Sequence, residues 1–313
     1  MFRTIVKKVP ELILVMLAAT LLTFFLTWVS PGDPAEIYFE SRGIAPTADA
    51  LLAMQSKMGL DQPFAVQYWN WLSGIVQLDA GVSLRTGEPV AQMVKQRFAM
   101  TFKLSLLAIT LMLVLSFLLA IVASLNEGGP ADYAIRLFSF AGVSMPDFWL
   151  GLMLILNFVV YLQWFPLTDP YALKSVVLPA LTLAIPLTGR YTRQIQSMIS
   201  EEMTKSYVVG ARARGCTEWA IILQHVLPAI LGGLTTLFGL SCALLLGGTV
   251  VVESIFSWPG LGSMAIESIT HRDYPVLQAY VVIMVFIYVS INFIADIVAE
   301  ILDPRLSLSG GKR

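Results

Sequence analysis

Charge is what this 313-residue chain has least of: Asp, Glu, Lys and Arg make up 13% of it, about half the share of roughly 25% in soluble domains. Hydrophobic residues fill 57%. That combination excludes an ordinary water-soluble globular domain and points to an integral membrane protein. Cysteine is nearly absent as well. Cys216 in a polar stretch and Cys242 in an apolar run build no disulfide framework. The chain has two histidines, His225 and His271, and no HExxH, which argues against a zinc enzyme. No GxxxxGK[ST] occurs either, the single Gly-Lys pair being Gly311-Lys312, so no phosphate-cradling loop of that type is available. The thirteen methionines are scattered, without the paired spacing of a soft-metal site. Ser241 in Gly239-Leu-Ser-Cys-Ala243 has no second glycine and no histidine at membrane depth to serve as its base. No catalytic residue, no metal site and no nucleic-acid partner is expected.

What is present is a series of long apolar runs. They predict an all-α membrane protein with six transmembrane helices, near 12–29, 104–125, 137–160, 176–199, 226–252 and 276–302. The first run is longer than the core of a signal peptide and ends in turn residues, Ser30-Pro-Gly-Asp-Pro34, so it reads as an uncleaved span. Pro146 and Asp147 interrupt the third, while Pro179 and Pro186 predict a kinked fourth. The fifth holds five glycines, which let helices approach closely. Residues 30–99 form one long hydrophilic section, expected to fold into short helices at the outer membrane surface. Its Tyr68, Trp69 and Trp71 fit anchoring to lipid headgroups, with contact to a partner protein as the alternative.

The distribution of basic residues orients the chain. With the N-terminus inside, twelve of the 20 Lys and Arg lie on the cytoplasmic side and eight outside. Six of those eight belong to the long first loop, which the positive-inside rule largely discounts. Both termini are therefore expected in the cytoplasm. So is the polar island Tyr207 to Pro228, YVVGARARGCTEWAIILQHVLP. Arg212 and Arg214 exclude it from hydrocarbon, where each would cost roughly 3 kcal/mol. The pattern predicts a helix over 201–214, with Glu201 and Glu202 at its positive end and Arg212 and Arg214 at its negative end. Gly215 then serves as the stop and Thr217 caps a following helix that leads through Leu227-Pro228 into the fifth span. On the outer side, residues 253–275 form an apolar, glycine-punctuated loop expected to dip back toward the bundle. Asp147, inside an apolar run, and Glu253, at the end of one, are candidate pathway residues; alternatively Asp147 caps the helix that restarts after Pro146.

The island resembles the cytoplasmic signature of permease subunits of binding-protein-dependent ABC importers. That signature is Glu-Ala-Ala, three residues, Gly, nine residues, then Ile-x-Leu-Pro. Val209-Gly210-Ala211, Gly215 and His225-Val226-Leu227-Pro228 occupy the matching positions, with the glutamate, one alanine and the isoleucine replaced. The version in the peptide and nickel branch, Tyr-Val-x-x-Ala-Arg-Ala-x-Gly, fits directly at Tyr207, Val208, Ala211, Arg212, Ala213 and Gly215. Segments in the same order elsewhere are similar to that branch: Gly59-Leu-Asp-Gln-Pro63, Ser144-Met-Pro-Asp-Phe-Trp149, Glu253 through Gly262, Arg272-Asp-Tyr-Pro275 and Leu302-Asp-Pro-Arg305. Leu78-Asp-Ala-Gly81 departs from the usual Gly-Asp-Leu-Gly.

The resemblance implies a six-span permease of the type I importer fold in a bacterial inner membrane, with 201–228 as a cytoplasmic coupling segment. A homologous permease would pair with it, two ATPase subunits would dock on the island, and an extracytoplasmic binding protein would deliver a metal chelate, nickel, or a di- or oligopeptide. ATP would be used by the partners, and no cofactor is bound by this chain. Tyr207, Ala211, Arg212, Ala213, Gly215, Leu227 and Pro228 would form the ATPase-coupling set. Asp147, Glu253, Trp258, Arg272 and Asp273 are candidates for the pathway or gate. The competing expectation is a secondary transporter or channel working without ATPases.

Overall fold

The computed structural model describes residues 2–166 and 169–302; Asp303, Pro304 and Arg305 of the terminal motif lie outside them. Helices dominate the described residues, and a lone antiparallel bridge pairs Val82 with Pro89. In order the helices are α1 (Phe2–Val29), α2 (Pro34–Glu40), α3 (Ala48–Met58), α4 (Phe64–Val76), α5 (Val90–Leu125), α6 (Pro130–Ser144) and α7 (Asp147–Leu154). They continue as α8 (Val177–Glu202), α9 (Ser206–Ala213), α10 (Glu218–Ile221), α11 (Leu227–Ile255), α12 (Leu261–Thr270) and α13 (Tyr274–Leu302). Wider π-helical turns extend α7 over Ile155–Tyr161 and join α10 to α11 over Ile222–Val226.

Among the described residues, four helices are long and apolar enough to cross a membrane: Val9–Val29, Val90–Leu125, Glu218–Thr235 and Tyr274–Ala299. A fifth span is reached if α6 and α7, bent by 106°, count as one. Pro146 explains that bend. Its ring disfavours helical backbone at the preceding residue, and Met145 is extended at φ −86°, ψ 128°. Helix α8 falls short on composition because Arg190, Arg193 and its hydroxyls dilute its apolar residues. Protein surrounds it instead of lipid: Thr182, Thr188, Thr192 and Gln196 are all buried. It runs through Pro186 as one helix, and Pro179 lies in its first turn, where the missing N–H has no intrahelical partner to lose.

Two further boundaries differ from expectation. Helix α5 starts at Val90 rather than near 104, so the section between helices α1 and α5 spans 30–89. Hydropathy detects the membrane-length part of a helix, whereas Lys95, Arg97 and Lys103 continue the same helix beyond it. Asp147 opens α7, but Pro146 occupies the cap position and no side-chain cap bond forms.

The chain divides into two compact units. The unit made of 2–101 and 259–289 contains α2, α3 and α4, the short helices within 30–99. Asp33 and Thr47 cap α2 and α3 through hydrogen bonds from the Ala35 and Ala50 N–H groups. Gly59 ends α3 in the left-handed conformation at φ 70°. Helix α4 packs Phe64, Tyr68 and Trp71 around Phe24 of α1, with centroids 5.4–5.6 Å apart. The expected inward packing of 253–275 is visible in α12, where Leu261, Met264 and Ala265 are buried, the first two in a cluster with Val90, Val276 and Ala279.

The other unit holds 102–258 and residues from 290 onward. Its core joins Met112, Ala120 and Ile121 of α5, Tyr191, Ile195 and Ile199 of α8, and Ile230 and Leu234 of α11. Val208, Ala211, Ile221, Ile222 and Val226 from the polar island belong to the same cluster. Helices α6 and α8 approach very closely, since a Cβ on Gly189 would come within 2.6 Å of the Ser139 carbonyl oxygen. A Cβ on Gly239 would overlap Ala295 and one on Gly233 would come within 3.1 Å of the Met198 side chain, so these two glycines of α11 serve close packing.

Candidate functional site

The island folds into two short helices standing on the core. Helix α9 is a separate eight-residue helix and not the continuous 201–214 expected, because α8 runs on through Glu202 and the chain turns at Met203–Lys205. Glu201 and Glu202 thus end α8 instead of opening α9, and the helix-dipole argument for them fails. Glu202 does something different. Buried at the end of α8, it accepts hydrogen bonds from Lys205 Nζ at 2.6 Å and from the Tyr207 hydroxyl at 2.9 Å. Partial burial and then that hydrogen bond push the Tyr207 phenol up to about 12.

Helix α9 buries Val208 and Ala211, one turn apart, and exposes Tyr207, Val209, Arg212 and Ala213. Its end is a Schellman stop. Gly215 is left-handed at φ +85°, its N–H donates to the Arg212 carbonyl, and the Cys216 N–H donates to the Ala211 carbonyl at 3.2 Å. Thr217 caps α10 by accepting from the Ala220 N–H. Arg212 then reaches across the stop with a bidentate grip on Glu218, at 2.6 and 2.9 Å. That hydrogen bonding holds the Glu218 carboxyl below its usual range. Together α9, its stop and α10 form a bracket. Val209 on α9 and Trp219 on α10 are exposed apolar side chains of this bracket, at 57% and 49%. Leu227 is half-buried and Pro228 exposed at the start of α11.

The pathway and gate candidates do not share one environment. Glu253 and Trp258 are fully buried, the Trp258 N–H donates to the Glu253 carbonyl at 2.8 Å, and Lys103 lies 5.7 Å from the Trp258 ring centre. Asp147 is exposed. Arg272 is exposed with a left-handed backbone at φ 54°. Asp273 is buried and fastens the 81–89 turn, accepting from Ser83 Oγ at 2.5 Å and the Leu84 N–H at 3.1 Å. A water-sized cavity lies beside it, lined by Ser83, Met93, Met264 and Glu267 among others. Among the described residues no group of three or more His, Cys, Asp or Glu side chains is placed to hold a metal ion. Ser241 shares a hydrogen bond with the Tyr191 hydroxyl, a structural pairing between α8 and α11.

Sequence reasoning missed Glu202 as an acceptor, the exposed Val209 and Trp219, and a buried carboxylate on α6. Asp132 is fully buried and accepts from Gln196 Nε2 at 2.9 Å, Arg136 Nη2 at 3.0 Å and the Gly128 N–H at 3.2 Å. The available signal was its spacing with Arg136 and Ser139, which puts all three on one helical face.

Comparison with known proteins supplies the remaining context. Residues 112–308 match the family described as binding-protein-dependent transport system inner membrane component, and residues 1–105 match the N-terminal part of the membrane component of such systems. The metal-staphylopine import system permease protein CntB of Staphylococcus aureus is 33% identical, over 98% of each chain. The probable D,D-dipeptide transport system permease protein DdpB of Escherichia coli is 33% identical over 96% of each. The oligopeptide transport system permease protein AppB of Bacillus subtilis is 34% identical over 96% of this chain and 98% of its own. A solved inward-facing structure of the MetNI methionine ABC transporter aligns with a TM-score of 0.56 at 16% identity, covering 69% of this chain and 99% of the other. At that identity the likeness speaks to fold alone.

Proposed function

The chain belongs to the binding-protein-dependent transport system inner membrane components and is a permease subunit of an ABC importer; from that premise we propose how it works. The carrying observation is the α9–α10 bracket, which is tied to α8 through Tyr207, closed by the Gly215 stop and packed into the core of the bundle, with Val209 and Trp219 exposed for docking. In this reading α9 is the coupling helix within 201–228, and one of two ATPase subunits seats on it. A homologous permease completes the pathway, and an extracytoplasmic binding protein delivers the cargo to a six-span protein of the bacterial inner membrane with both termini cytoplasmic. Closure of the ATPase dimer pushes the bracket, and the bundle switches between inward and outward openings as a two-state population shift.

Tyr207, Arg212, Ala213, Gly215, Leu227 and Pro228 belong to this coupling set through the surface and shape of the bracket. Ala211 belongs to it through packing, since it is fully buried. Asp147, Glu253, Trp258, Arg272 and Asp273 remain the proposed pathway and gate residues. The cargo is a metal chelate, nickel or a short peptide, the classes that the relatives' names and the branch resemblance support.

The test is ATP-dependent uptake in proteoliposomes holding this chain, its partner permease, the two ATPases and the binding protein. Gly215→Pro is expected to abolish uptake while leaving membrane insertion intact, because proline cannot adopt φ +85°. Robust uptake by this chain alone, or normal uptake by the variant, overturns the reading. Binding of peptides, nickel and nickel chelates to the partner binding protein decides the cargo.

A further inference from the structure

Helix α8 is the element that leaves the core and runs directly into the bracket, and its last two turns are gripped from two sides. On one side Gln196 donates to Asp132 of α6, while Gln196 Oε1 accepts from Arg193 Nη1 at 2.6 Å. Six residues on, about 9 Å along the axis, Glu202 accepts from Lys205 and Tyr207 at the start of α9. Six residues also turn the helix by about 240°, so the two grips face different neighbours. Asp132 is itself tied at both oxygens, with Gly128 and Arg136 on the one that Gln196 leaves free. The α6–α8 seam above it is a close backbone contact at Gly189 and Ser139. Helix α6 then ends at the 106° bend that carries Asp147.

We infer that Asp132 and Gln196 are positioning residues that lock α6 to the coupling end of α8, so that a displacement of α9 reaches the Pro146 bend instead of being absorbed at the end of α8. This rests on the importer reading above and adds a route to it. A ligand that shifts a two-state equilibrium from 1:99 to 99:1 must favour one state by about 10⁴-fold. A compliant joint between the driven helix and the bundle would dissipate that preference. The buried carboxylate makes the joint stiff, because letting go of Gln196 would leave one oxygen of a buried carboxylate without a hydrogen-bond donor. The contacts of Gln196 with Asp132 of α6 and of Glu202 with Tyr207 of α9 hold this end of α8 against rotation, and Arg193 fixes the orientation of the Gln196 amide.

The hydrogen-bond polarity yields a specific test. In Asp132→Asn the new amide faces the Gln196 amide, donor against donor, and Gln196 cannot invert without turning its nitrogen on Arg193. In Gln196→Glu two carboxylates confront one another. In the double variant the pairing is restored with its direction reversed. The introduced amide nitrogen on α6 donates to the introduced carboxylate on α8, which still accepts from Arg193. The oxygen of the introduced amide still accepts from Gly128 and Arg136. The complete complex is purified for each variant, and substrate moved per ATP hydrolysed is measured in proteoliposomes alongside ATPase activity and subunit stoichiometry. Each single variant is expected to lower transport per ATP by about tenfold with assembled complex and ATPase activity within about twofold of the parent, and the double variant to recover most of the loss. Unchanged transport per ATP in the single variants overturns the inference. So does a parallel fall in uptake and ATPase activity, or a double variant as impaired as the worse single one. If the parent complex itself shows no ATP-driven uptake, it is the importer mechanism that fails, and the two failures are told apart by the parent alone.

Discussion

Tyr207 shows how one residue changes meaning between sequence and structure. In the sequence it is the first letter of a motif; in the fold its hydroxyl donates to the buried Glu202 across the turn between α8 and α9. With its pKa raised from 10 to about 12, the phenol's contribution is full below pH 10 and lost as pH rises through about 12. A spectrophotometric titration of the parent minus Tyr207→Phe is expected to show one phenol ionising near 12. Ionisation near the ordinary 10 would mean the hydrogen bond to Glu202 is not made. The Arg212–Glu218 grip has the opposite sign: the lowered Glu218 carboxyl contributes above its ordinary value and is lost as pH falls through the lowered one. Gly215 and Thr217 were readable from sequence because a left-handed stop and a hydroxyl cap are local events. Glu202 was not, because where α8 ends depends on what packs beside it.

Among elements, the α6–α8 pair carries the largest share of what composition could not reveal. A buried helix facing protein needs no apolar surface, so α8 keeps Thr182, Thr188, Thr192 and Gln196 inside and lacks the apolar composition of the four long helices. Its tight approach to α6 also makes Gly189 irreplaceable. Gly189→Val is expected to destabilise the solubilised protein by about 1–3 kcal/mol through overpacking. Gly210→Ala is the control, since its Cβ would meet only the Arg214 side chain at 3.6 Å. Thermal unfolding of both in detergent checks this, and equal midpoints would show that the seam can spread at no cost. Helix α5 makes the complementary point. Its apolar core was visible in the sequence, but its fourteen-residue extension back to Val90 was not, because charged residues continue a helix as readily as they begin a loop.

For the whole molecule, membership of the permease family supports the proposed division of labour, in which this chain forms part of a pathway and partner subunits hydrolyse ATP. A tagged chain is therefore expected to copurify with a second permease and two ATPase chains. Recovery of a stable, transport-active complex without ATPases would contradict that composition. For the pathway, Asp147→Asn and Glu253→Gln are expected to change the kinetics of cationic-cargo uptake without loss of assembly. Unchanged uptake kinetics in both would remove these carboxylates from the pathway. The burial of Glu253 and the exposure of Asp147 make Asp147 the better placed of the two to meet cargo directly.

By itself the sequence determined the medium, the helical class, the polar island with its glycine stop, and a family resemblance that the comparisons bear out. These are properties of composition and short spacing, and they need no partner residue to be read. Only the tertiary structure decided that the island shares the bundle's core, that α8 is shielded by protein, and that Asp132 meets Gln196 64 residues away. Hydrogen bonds and close packing between distant segments depend on which helix faces turn toward one another, and helical periodicity fixes the faces without fixing their partners.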